Sequence, residues 1–251
     1  MTALRQAVDD NATRRAEVVA LGAFVALTAI GVLLPPIQQD PQYHRFADQR
    51  SWLGIPHAAD VLSNIAFVVV GVFGLARSAR ASLGNATRLC LSFVAIGLVL
   101  AGFGSAWYHA DPSDASLAWD RLPMTIVLAG VIGAAMSERI GERAGFVALF
   151  ALVVVGIASV LCWRVTGNLT PYAVFQFGGI ALLMMVLLTT PARADPFPWT
   201  WIVGWYAIAK IAEVGDAFIW QATDGVVAGH AIKHIAAAAA GAALFIGVRT
   251  R

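Results

Sequence analysis

Charge is the scarcest property of this 251-residue chain: Asp, Glu, Lys and Arg together make up 13% of it, against 59% hydrophobic residues and a mean hydropathy of +0.73. A soluble domain carries about a quarter charged residues. That deficit excludes an ordinary water-soluble fold and predicts a protein that lies almost wholly in lipid. Cysteine is nearly absent, and Cys90 and Cys162 both fall in apolar stretches, which excludes a disulfide framework and a cysteine metal site. There is no run of Lys or Arg, and the net charge is only +2, so nothing marks a nucleic-acid partner. Internal repeats, low-complexity tracts and linkers are missing too.

What remains is a series of long apolar segments. A bilayer core about 30 Å thick needs roughly 20 apolar residues per helix. Eight segments approach that length, at about 17–36, 58–77, 88–109, 119–138, 143–164, 171–191, 198–219 and 226–248. All are expected to be helices, because lipid cannot satisfy an open sheet edge. The first follows Arg14 and Arg15 and runs to Pro35 and Pro36 without a small-residue cleavage site, so it reads as a span rather than a signal peptide.

Basic residues set the orientation, since cytoplasmic loops are enriched in them. With the N-terminus inside, that side receives Arg5, Arg14, Arg15, Arg77, Arg80, Arg88, Arg139, Arg143, Arg193, Arg249 and Arg251; the other receives Arg45, Arg50, Arg164 and, at a span edge, Arg121. Both termini are therefore expected in the cytoplasm. The long connection over 36–56 falls outside and is polar and aromatic enough to fold over the outer face.

Ionisable residues inside spans are costly and point to function. Ser105 and His109 are four residues apart, on one face at the outer end of the third span. Asp120 opens the fourth span at the same depth, and His230 and His234, again four apart, lie near the outer end of the eighth. Three histidines with a fourth position left for water make a catalytic zinc site. Zinc lowers the pKa of water towards about 7. Asp120 would then move the proton, and Ser105 would donate a hydrogen bond to a developing oxyanion. His230 is followed by Ala231 rather than glutamate, so the HExxH mechanism does not apply.

Other polar residues are poorer candidates. Lys210 with Glu213 reads as an internal ion pair, Lys233 as a buried partner for one of these acids, and Asp216 as a group that could orient a ligand histidine. Asp60, Ser63 and Asn64 could bond across helices without chemistry.

The serine four residues before a histidine, the aspartate eleven residues after it followed by Leu122, Pro123 and Met124, and the final HxxxH together resemble the alkaline ceramidase family, within the superfamily that also contains the adiponectin receptors. The resemblance implies a seven-helix hydrolase domain over 51–251, with residues 1–50 adding a tail, one further transmembrane helix and an outer loop. It implies zinc on His109, His230 and His234, assistance from Asp120 and Ser105, and hydrolysis of a ceramide amide to a sphingoid base and a fatty acid. Family members also bind calcium before the first core helix. Here Asp48 and Asp60 flank Trp52, but His57 and a shorter spacing replace the carboxylate pattern, so calcium stays open. The zinc constellation alone also admits hydrolysis of another lipid acyl bond, and the buried charges admit a receptor or transporter. Oligomeric state, chain-length preference and pathway are not written in the sequence.

Overall fold

The computed structural model describes residues 2–80, 82–191 and 197–248, without the side chains of residues 2–14, 17 and 21. The described residues form helices and connecting turns. In chain order these are α1 (Thr2–Leu33), a 3-10 turn at Pro41–His44, α2 (Ala58–Ser63), α3 (Ile65–Arg80), α4 (Asn85–Ala110), α5 (Asp114–Arg139), α6 (Glu142–Thr166), α7 (Thr170–Thr189), α8 (Trp199–Val214), α9 (Asp216–Ala222) and α10 (Gly229–Ile246).

Six of these stretches, counting α2 and α3 as one, are long and apolar enough to cross a membrane. The expected first span has a shorter apolar part, Val18–Leu33. The expected seventh divides into α8 and α9 at Gly215, so the described structure gives six full-length spans where eight apolar segments are legible. Helix α4 packs between α3 and α5, α5 continues to α6, and α10 closes the bundle by packing on both α3 and α8. Helix α1 lies against α7.

Close approach of helices in lipid depends on small residues, and two glycines set the spacing at one end of the bundle. A Cβ on Gly104 of α4 would collide with the Trp119 carbonyl of α5. That carbonyl lies four residues before Pro123, which has no N–H to offer it. A Cβ on Gly229 would collide with the Ala212 carbonyl and come within 2.8 Å of the Asp216 Cα. The first glycine draws Ser105 towards Asp120; the second draws the start of α10 into the junction of α8 and α9.

The basic residues Arg77, Arg80, Arg88, Arg139 and Arg143 lie at the end of the bundle where α3 and α5 finish and α4 and α6 begin. Arg193, Arg249 and Arg251, and the side chains of Arg5 and Arg14, fall outside what is described. At this end Glu142 accepts hydrogen bonds from the Ala86 N–H and the Thr87 and Ser137 hydroxyls, each at 2.7 Å, satisfying orphan donors at the start of α4.

Candidate metal centre

His109 sits in the last turn of α4, and His230 and His234 in the first turns of α10. These helix ends meet at the opposite end of the bundle from Arg77, Arg80, Arg88, Arg139 and Arg143. All three histidines are buried, and one ring nitrogen from each lies within 4.8 Å of the others. Neither nitrogen of His109, nor Nε2 of His234, has a hydrogen-bond partner. Leaving such groups bare in the interior costs about 1–3 kcal/mol each, and imidazole nitrogens are the preferred donors for zinc. The donor set therefore fits a metal ion. Among the described residues, this is the one His/Cys/Asp/Glu group so arranged.

Two neighbours fix the histidines. The Ser63 hydroxyl donates to the Asp60 carbonyl at 2.9 Å and lies 2.7 Å from His234 Nδ1. With its hydrogen committed to the carbonyl, it accepts from Nδ1–H, which leaves the Nε2 lone pair of His234 unprotonated. Asp216 accepts the backbone N–H of His230 at 2.8 Å and that of Ala47 at 3.0 Å. It orients His230 through the main chain of α10, where a helix N-terminus favours a carboxylate, rather than through the ring.

The 36–56 connection folds over this end. The Phe46 ring is 4.5 Å from that of His109 and 4.9 Å from that of His230, centre to centre. His57 Nδ1 bonds the His109 carbonyl at 2.8 Å. Asp48 is held by Arg50 through contacts of 2.9 and 2.6 Å, which keeps its carboxyl below the usual range. Arg50 in turn donates to the Val226 carbonyl and stacks on Trp220. Asp48 thus has its carboxylate committed to arginine. Both Asp60 carboxylate oxygens are buried without partners.

Ser105 and Asp120 are both buried and line the same cavity. With Lys233 and His234 they line one part of that cavity, of about 190 Å³. The remaining wall is largely apolar and extends along α10 as far as Leu244. Glu213 pairs with both Lys210 and Lys233, the latter at 2.9 Å. Lys233 Nζ is also 3.2 Å from His230 Nε2. His230 thus joins a metal through Nε2 only by exchanging that hydrogen bond for the ion.

The five residues expected from sequence spacing, Ser105, His109, Asp120, His230 and His234, are brought to one end of the bundle. Ser63 is expected only to bond across helices and the 36–56 stretch only to fold over the outer face; that Ser63 meets His234, that Phe46 covers His109 and His230, and that His57 bonds the His109 carbonyl are not expected. These three residues come from a neighbouring helix and from the loop, and no spacing within α4 or α10 announces them.

The ceramidase family model matches residues 55–223, 169 of the 251 residues. The match includes Ser105, His109 and Asp120 and stops before His230 and His234, which the fold returns to the same site. No curated protein matches the chain.

Proposed function

The chain belongs to the ceramidase family, and from that membership we propose that it is a zinc-dependent membrane amidohydrolase that cleaves the N-acyl amide of ceramide or a related long-chain lipid. The observation that carries the reading is the buried trio His109, His230 and His234, with bare ring nitrogens, beside Ser105 and Asp120 at the wall of an apolar cavity. The cavity accepts an acyl chain, and the polar residues receive its amide.

His109, His230 and His234 would hold the ion. Bound zinc supplies Lewis acidity that makes water nucleophilic near neutral pH. Asp120 takes the proton from the attacking water and returns it to the amine as the C–N bond breaks. Ser105, which lines the cavity with Asp120, would donate a hydrogen bond to the developing oxyanion. Phe46 and the outer loop keep bulk water from the histidines. Residues 51–251 form the hydrolase domain, and 1–50 supply the additional helix and loop. Both termini face the cytoplasm, and the site faces the opposite side.

The test is fatty-acid release by the purified, zinc-loaded protein from N-hexadecanoyl sphingosine and from phosphatidylcholine. Release from the amide lipid with about a tenfold or greater preference supports the reading. Release from the phospholipid alone identifies an acyl esterase instead, and release from neither removes the hydrolase assignment.

A further inference from the structure

We propose, building on the hydrolase reading, that Lys233 is a specificity-determining residue whose ammonium group holds the acyl carbonyl oxygen of the bound lipid and then the carboxylate of the released fatty acid. Lys233 follows His230 by three residues and precedes His234 by one, and it lines the same cavity as Ser105 and Asp120. An ammonium carries three hydrogens. One is directed at Glu213 Oε1, 2.9 Å away, and one at His230 Nε2, 3.2 Å away. The third is left for a ligand, and where His230 gives Nε2 to a metal the second is released as well.

The balance of charge supports the assignment. Glu213 is already paired with Lys210, so Lys233 is not needed to neutralise it. The second lysine places an additional positive charge on the wall of a cavity whose other surfaces are mostly apolar. Such a charge is costly in an apolar interior unless an acceptor faces it. Asp120, on the wall of the same cavity, supplies the matching negative charge, so what Lys233 offers a ligand is its third N–H: it meets a carboxylate or polarised carbonyl at the head of an apolar chain, and a cationic head group is repelled. The site therefore selects a long-chain acyl group and retains its acid product.

The experiment measures equilibrium binding of hexadecanoate and of hexadecanol to the zinc-loaded protein in detergent, in the wild type, Lys233→Met and Lys233→Arg. Charge-assisted hydrogen bonds contribute about 1.5–3 kcal/mol, so Lys233→Met should weaken hexadecanoate about tenfold to a hundredfold while hexadecanol changes less than about twofold. Lys233→Arg should restore most of the preference for the acid. If Lys233→Met keeps the wild-type preference, the proposal is overturned. Should Lys233→Met fail to fold, Glu213→Gln decides: it frees the lysine from its carboxylate and should tighten hexadecanoate selectively, and an unchanged or weaker preference overturns the proposal. Fatty-acid release by the wild type is scored separately. Its absence defeats the hydrolase reading, whereas the binding preference judges Lys233 alone.

Discussion

The Ser63 hydroxyl lies 2.7 Å from His234 Nδ1 while donating its own hydrogen to the Asp60 carbonyl. This fixes the tautomer of a buried histidine from a different helix. Groups that hold a ligand histidine in this way commonly contribute about 10–100-fold to metal affinity. Ser63→Ala is expected to weaken zinc binding by that order, measured by competition with a chromophoric chelator, and Ser63→Thr to retain it. Equal affinity in Ser63→Ala would show that the ring is oriented by packing alone.

Asp216 bridges the start of α10 and the outer loop through the N–H groups of His230 and Ala47. Asp216→Ala leaves both donors without their acceptor, at about 1–3 kcal/mol each. The expected result is a lower unfolding temperature together with weaker zinc binding and faster proteolysis of the 36–56 connection. Loss of stability with unchanged loop protection would separate the two contacts.

Gly104 admits the Trp119 carbonyl beside Ser105 and Asp120, which line one cavity. Gly104→Val forces α4 and α5 apart, and overpacking of this kind costs about 1–3 kcal/mol. Turnover should fall at least about tenfold, and the protein should also unfold at lower temperature. A variant with wild-type activity would show that the α4–α5 spacing beside Ser105 and Asp120 does not matter to the chemistry.

The Asp48–Arg50 pair makes the outer loop sensitive to acid. Because Arg50 holds the Asp48 carboxyl below its usual range, the pair's contribution is complete above the ordinary carboxylate pKa of about 3.9. It is lost as pH falls through the lower folded value. Protease protection of the loop should therefore differ between the wild type and Asp48→Asn at neutral pH, and the difference should begin to shrink only below about pH 4 and disappear below the lowered folded value. A gap that widens on acidification would reverse the sign of this account.

The helical, membrane-embedded character was legible because apolar runs of the right length are hard to place anywhere else. The His109, His230 and His234 cluster was legible because each histidine interrupts an apolar helix near the same end. A cross-helix bond from Ser63 and a loop over the outer face were legible too, but their partners, His234 for Ser63 and His109 and His230 for Phe46, were not, since they lie far away in the chain and no local period encodes them. The split of the expected seventh span also escaped: Gly215 ends α8, and Asp216 then turns to bond His230 and Ala47. The pairing of Lys233 with an acid is legible in the sequence, and Glu213 bears it out, but its place on the cavity wall depends on how α10 packs.

The central claim is that His109, His230 and His234 together hold one catalytic ion. The most direct measurement is elemental analysis of the purified protein beside His109→Ala, His230→Ala and His234→Ala, each checked for folding. The account predicts close to one zinc per wild-type chain and a marked loss in every variant. Folded variants that all retain the wild-type zinc content would contradict it.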